Sequence, residues 1–355
     1  MFSEEEIWEL FSAKSEYESV LTDAYGRHPY WAAKHRNVFD PVVSRYLVHH
    51  GFKPLYPDNK NFALCVSHDI DLLFDVRTKS QLLKAGLKNT LGLKLGKAGK
   101  DFKNVIRPSI EYNFHIDRTL EHGKKYGVRS SFYFLSLNSD EQDYNYSLSE
   151  IGSIFDLVKK NDGEIGLHGG HQAYGEVEKM IQEKTKLEKA SGVKVSGYRN
   201  HYLRFETPLT WQLLNKAGFS YDSTFGYADC VGFRNGTCHP FQPFDLKNSN
   251  FTDLIELPLI IMDRSLSTYM NLARQKQFEM CKMLIDIVAE NRGVLTLLWH
   301  NNFMTGADGE MYAAILKYAF EKNAWMATGK EITDFWRENG YHDKMNELLL
   351  KTKRQ

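Results

Sequence analysis

Residues 62–73 read FALCVSHDIDLL, and this stretch decides the fold. An apolar run closes on His68, Asp69 and Asp71. Charge is costly beside an apolar core unless it is partnered. Such a run therefore marks a buried strand whose end opens on solvent or on a polar site. In an extended chain Asp69 and Asp71 project to the same side, which suits a metal or acid–base centre at the mouth of a barrel.

Working outward, similar runs recur: SSFYFLSL (130–137), EIGLH (164–168), VSGYRNH (195–201), SYDSTF (220–225), LIELPLI (254–260), VLTLLWH (294–300) and AWMAT (324–328). Helical stretches lie between most of them. One ends on Gly127, a helix stop. Another opens with Ser147 and Glu150 at capping-box spacing. A third starts with Thr207 as N-cap and Pro208 at its first position. A long helix is expected over 268–291. Strands alternating with helices predict parallel pairing and right-handed crossovers. Seven or eight such units form a distorted β/α barrel over residues 61–340. A helical extension precedes it (1–60), there to cap the open bottom or mediate dimer contacts, and a helical tail follows (341–355). Barrel chemistry sits at strand C-terminal ends. There lie His68, Asp69, Asp71, His168, Arg199, His201, Asp222 and His300.

Composition narrows the class. Lys+Arg and Asp+Glu both number 45 in 355 residues, giving zero net charge. That argues against general nucleic-acid affinity, which needs a basic surplus. Four scattered cysteines, with no C-x-x-C pair, predict a reducing compartment. The acidic start MFSEEEIWELF differs from a signal peptide, so the expected location is the cytoplasm. Residues 74–107 stand apart, with nine Lys/Arg, two Asp and interleaved leucines. The first reading is a solvated helical excursion packed on the barrel, since charge runs usually face water. The second is an interfacial segment making peripheral contact with anionic membrane lipid.

Aspartate and histidine together suit a divalent metal such as zinc, which takes about three protein ligands in catalytic sites and keeps a position open. The local candidate is His168-Gly-Gly-His171, whose glycines let the backbone turn near the metal. Trp299 alternates away from His300 and is expected in the core.

The strings VSHDID, EIGLHGGH, GYRNHYLRF, AGFSYDSTFGY with GFRNGTCHPFQPFD, and LLWHNN stand in this order. Together they resemble the five motifs of NodB-type polysaccharide deacetylases, carbohydrate esterase family four. The first string resembles the bacterial branch that begins His-Asp-Val-Asp. The resemblance covers roughly residues 62–335. It implies a divalent-metal hydrolase, zinc being the expected ion, that removes acetyl groups from N-acetylated sugars. By position Asp69 is then the general base. The family's next position carries the metal-binding aspartate and is Ile70 here, so that role moves to Asp71. His168 matches the first histidine of the second motif. The position four later is Gln172, so His201 completes the set of Asp71, His168 and His201, with His171 as competitor. Arg199 matches the arginine that orients the base. His300 matches the general acid, with Asp222 as the carboxylate holding its ring. Phe233, Arg234 and Phe241 are expected at the rim. The implied substrate is a carbohydrate of a surface polysaccharide or its precursor, lipid-linked in one version. The rival readings are a deformylase or amidohydrolase on a lipid-linked amino sugar, and a barrel that only binds glycans.

Overall fold

Strand β1 (Phe62–Ile70) is buried along its whole length. Its two faces serve different partners, as the period of two requires. Phe62, Leu64 and Val66 join a cluster with Leu284, Ile285 and Ile315 outside the barrel. Ala63 and Cys65 join the other core, and Ser67, Asp69 and Asp71 continue that face toward the mouth. The computed structural model describes residues 2–17, 19–73, 79–106, 115–137 and 146–353.

After β1 come β2 (Ser131–Leu135), β3 (Glu164–Gly169), β4 (Gly197–Asn200), β5 (Tyr221–Asp222), a small hairpin of β6 (Phe244–Asp245) and β7 (Asn250–Phe251), then β8 (Ile255–Glu256), β9 (Leu259–Met262), β10 (Val294–Leu298) and β11 (Ala324–Ala327). The main sheet runs β8-β5-β4-β3-β2-β1-β10-β9, with β11 paired to the first half of β1. Every pairing in it is parallel. Its two edges, β8 and β9, are consecutive in sequence, separated by Leu257 and Pro258. The sheet therefore curls until its edges nearly meet, and the chain steps across the gap. Read as one strand, LIELPLI is two. Pro258 has no N–H to donate to a ladder, while Leu257 N–H donates to Asp222 O (2.8 Å) and Leu259 N–H to Phe225 O (3.1 Å). The expected distorted barrel is the observed one.

The helices are α1 (Glu4–Phe11), α2 (Lys14–Tyr17), α3 (Val42–His49), α4 (Lys79–Leu91), α5 (Leu95–Ile106), α6 (Ile116–Tyr126), α7 (Gly152–Lys160), α8 (Val177–Ser191), α9 (Leu209–Lys216), α10 (Arg274–Glu290), α11 (Gly306–Glu321), α12 (Gly329–Glu338) and α13 (Tyr341–Lys353). Gly127 ends α6 in the left-handed region, φ 67°, and Ser147 and Glu150 form their capping box. Three expectations need correction. Thr207 does not cap α9; its hydroxyl donates to Glu16 Oε2 at 2.8 Å. The helix expected over 268–291 begins at Arg274, because Asn271 adopts a left-handed φ of 49° after a separate turn over Ser265–Tyr269. Residues 1–60 hold three short α-helices among their described residues, and the rest is mostly loop.

That extension is built into the molecule. Trp8 packs edge-on to Phe244. Glu16 receives Arg234 Nε (2.8 Å) and Nη2 (2.7 Å), a buried clasp between α2 and the barrel. The chain then runs over the strand C-terminal ends, where Tyr25 and Arg27 line the mouth. It reaches the mouth there, and farther along Tyr56 Oη donates to Arg292 O and Gly293 O at the N-terminal end of β10, on the barrel's bottom side. The basic insertion forms an antiparallel pair, α4 with α5; its residues 74–78 and 107 lie outside those described.

Candidate metal and acid–base site

Two strand ends and one turn build the centre of the site. β1 delivers Asp69 and Asp71, β3 delivers His168, and the turn after β4 delivers His201. Register explains the meeting: His68 and Asp69 stand beside Phe132 and Tyr133, Leu135 beside His168, and His168 beside Arg199. His68 falls on the other face. It is buried, with Nδ1 donating to Trp299 O at 2.7 Å, and burial pulls its ring down to about 4.

His168 Nδ1 stands 2.9 Å from Arg199 O. A carbonyl only accepts, so Nδ1 carries the proton and Nε2 faces the site. Around Nε2 lie His201 Nδ1 at 3.1 Å and Asp71 Oδ1 at 3.2 Å, and the latter two are 3.6 Å apart. Nitrogen and oxygen ligands about 2.1 Å from a tetrahedral zinc stand about 3.4 Å apart. The observed spacing and the N,N,O donor set thus fit a divalent cation. The ring orientation of His168 is fixed as second-sphere hydrogen bonding fixes metal ligands elsewhere. Burial would raise the Asp71 carboxyl, but the hydrogen bond of His168 and the charges of His201 and His300 hold it well below the usual range. Burial lowers His168 less than Asp69 and Asp71 raise it.

His171 stands outside this cluster. Its Nδ1 takes an N–H from Arg204 Nη1 at 3.3 Å, and its ring packs on Tyr202. The glycines after His168 serve a purpose other than the expected turn. A Cβ on Gly169 would strike the Tyr198 hydroxyl, and one on Gly170 would lie 2.7 Å from Glu183 Oε1. They make room for neighbouring side chains. The turn itself falls after His201, where Tyr202 (φ 60°) and Leu203 (φ 54°) are left-handed without being glycine. Backbone of this kind costs of order 1–3 kcal/mol per residue and concentrates at functional sites.

Asp69 is buried and accepts from Arg199 Nη1 at 2.9 Å. Arg199 is fully buried and makes four hydrogen bonds: Nη1 also reaches Ser67 Oγ, while Nε and Nη2 reach Ser223 O and Oγ. Its guanidinium lies over the Tyr133 ring at 4.5 Å. Asp69 Oδ2 is 3.7 Å from His168 Nε2, beside the Asp71–His168–His201 cluster.

His300 follows β10 and turns Nε2 into the cavity, 3.8 Å from Asp71 Oδ2. The carboxylate holding its ring is Asp263, not Asp222. His300 Nδ1 donates to Asp263 Oδ1 at 2.7 Å, and His300 N–H to Oδ2 at 2.7 Å. Burial works against the charged ring, yet Asp263, followed by Asp71 and Asp69, pushes His300 up to about 9. Asp222 is turned away because its cross-strand neighbour is Glu256. Its Oδ1 accepts from Thr224 Oγ1 at 2.6 Å. Burial raises both carboxyls of this pair, Asp222 to about 6 and Glu256 well above the usual range, and proximity raises Glu256 further.

Trp299 is buried as expected, its Nε1 donating to Phe303 O. Phe233, Arg234 and Phe241 are not rim residues; all three are buried, and Arg234 is spent on Glu16. The cavity has a volume of about 360 Å³. Beyond the polar centre its walls are Tyr25, Arg27, Tyr202, Arg264, Tyr269 and Phe303. Tyr25 stacks on Tyr202 with ring centroids 5.0 Å apart. The sequence reading missed these walls, and it missed Asp263 and Glu256. Asp263 had a signal, for it directly follows the apolar β9 run LIIM at a strand C-terminal end.

No protein-family model matches the chain, and no curated protein matches it. Solved structures do. A Mycobacterium smegmatis protein assigned as a polysaccharide deacetylase is 16% identical, with 80% of this chain and 93% of that one covered and a TM-score of 0.54. Peptidoglycan deacetylase PdaC from Bacillus subtilis is 12% identical over 82% and 98% of the two chains, TM-score 0.39. A pseudoenzyme of the same esterase family, CE4, from Bacillus anthracis is 10% identical over 79% and 67%, TM-score 0.41. The first of these likenesses establishes the fold: a distorted β/α barrel of the polysaccharide deacetylase type.

Proposed function

We propose that this protein is a metal-dependent hydrolase that removes an N-acyl group, acetyl in our reading, from an amino sugar. The observation carrying the proposal is the convergence on one cavity of an Asp71–His168–His201 cluster, an Arg199-held carboxylate and an Asp263-held imidazole. A binding module would have use for the cavity walls but none for a buried base and acid on either side of a cation site.

Asp71, His168 and His201 would hold the ion, zinc by its donor set. When bound, such an ion polarises the acyl carbonyl and makes hydroxide accessible near neutral pH. Asp69 takes the proton of the attacking water, and Arg199 holds it in place. His300, its ring charged and held by Asp263, delivers a proton from Nε2 to the departing nitrogen. The products are a carboxylic acid and a free amine. The Tyr25–Tyr202 stack and Tyr269 offer flat faces for a sugar ring. The substrate context in this reading is a surface polysaccharide or its precursor, and the compartment is the cytoplasm.

The test is direct. Purified protein is analysed for metal content and incubated with N-acetylated and N-formylated sugars, and released acetate and formate are measured. About one divalent ion per chain and chelator-sensitive release of acetate support the proposal. Dominant formate release would reassign the acyl group. Protein that takes up no ion and releases neither acid would be a glycan-binding barrel.

A further inference from the structure

The α4–α5 hairpin has a surface that the site chemistry does not use. The two helices pack through Leu82, Gly86, Ala98 and Phe102, where a Cβ on Gly86 would meet the Phe102 ring at 2.9 Å. Asn89 Nδ2 donates to Asp101 Oδ2 at 2.8 Å across the same seam. With these groups turned inward, Leu83, Leu87 and Leu91 follow one another at four-residue steps on one outer stripe. Their exposure rises toward the hairpin turn, 43%, 59% and 87%, and Leu93 (84%) and Leu95 (67%) continue it around the tip. Five exposed leucines in one patch are uncommon on a soluble surface and mark an interaction site.

Charge identifies the partner. Residues 79–106 contain seven lysines and one acidic residue. All seven lysines are exposed, while the acid, Asp101, is buried in the seam. A second copy of the chain would bring the same lysines against these, so self-association by this face is opposed. No helix among the described residues is long and apolar enough to cross a membrane. At 13 and 12 residues, α4 and α5 span about 20 Å each, short of the roughly 30 Å hydrocarbon core. An apolar tip ringed by lysines matches an anionic bilayer surface: leucines enter the headgroup–acyl boundary and lysines meet phosphates. We infer that the α4–α5 hairpin docks this protein on anionic lipid membranes, with Leu91, Leu93 and Leu95 leading. The hairpin leaves the barrel in the connection that supplies Asp71, so docking and site share one segment of chain.

Full-length protein is mixed with vesicles of phosphatidylcholine alone or with roughly 30% phosphatidylglycerol and sedimented. Binding is expected to the anionic vesicles only, and to weaken as salt rises. The triple variant Leu91→Ser, Leu93→Ser, Leu95→Ser and the variant Lys84→Glu, Lys88→Glu, Lys94→Glu, Lys97→Glu should each lower partitioning by at least about tenfold. Metal content and circular dichroism should match the wild type, since neither set touches the site or the hairpin seam. Equal binding to both vesicle types, or either variant binding as the wild type does, overturns the inference. So does a dimer in light scattering that the leucine variant dissolves.

Discussion

Asp263 grips His300 at two points, accepting its ring Nδ1–H and its backbone N–H, each at 2.7 Å. The imidazole is thereby fixed in tautomer, in orientation and in charge, with Nε2 left for the cavity. A general acid contributes typically 10²–10⁴-fold, so His300→Ala should lose rate in that range. Asp263→Asn should retain the metal and lower kcat by at least about tenfold, the equivalent of one pKa unit of lost charge stabilisation. Steady-state kinetics with metal analysis on both variants checks this; an Asp263→Asn enzyme with full kcat would refute the assignment.

The metal cluster makes a prediction that separates its members from their neighbours. Asp71→Asn and His201→Ala should purify with little bound ion and little activity. His171→Ala should keep both, because His171 is turned to Arg204 and Tyr202. Asp69→Asn should keep its metal and lose turnover. Metal stoichiometry measured alongside rate distinguishes the three outcomes.

Removing Arg199 tests a buried charge. Arg199→Met strips Asp69 of its partner and leaves the hydroxyl and carbonyl of Ser223 without their donors. Breaking a buried ion pair on one side costs about 3–5 kcal/mol, readable as a lower urea midpoint. A variant as stable as the wild type would mean that water replaces the guanidinium.

The Asp222–Glu256 pair gives a pH dependence. Both carboxyls hold protons more tightly folded than unfolded, so folding takes up protons and stability falls with rising pH. For Asp222 the fall spans the window from 3.8 to about 6, and Glu256 extends it upward. Glu256→Gln removes one titrating group and keeps an acceptor for Trp211 Nε1. Its melting temperature relative to wild type should therefore climb between about pH 4 and pH 8. A difference that stays flat across that range would show that the pair is not short of a proton.

The barrel was legible because parallel strands buried on both faces appear as apolar runs, and FALCVSHDI, EIGLHG and VLTLL do so. The strand-end rule then picked out Asp71, His168, His201 and His300. It failed at Asp222 because β5 is two residues long and its side-chain direction is set by pairing with β8, a long-range fact. Asp263 was lost because the run LIELPLI was read without a break at Pro258, which hid the true end of β9. Tyr25 and Arg27 carry no local signal. Nothing in their neighbourhood says that a loop some forty residues ahead of the first strand will lie across the opposite side of the molecule.

That loop changes what counts as the molecule's smallest working unit. With Tyr25 and Arg27 forming one wall and Glu16 locked to Arg234, the N-terminal extension is a structural stave of the cavity. Trimming the chain to the barrel would leave the Arg234 guanidinium without its ion partner and the cavity a trough open on one flank. On the proposed function, a fragment so shortened would fail for want of grip on its substrate even with Asp71, His168, His201 and His300 in place.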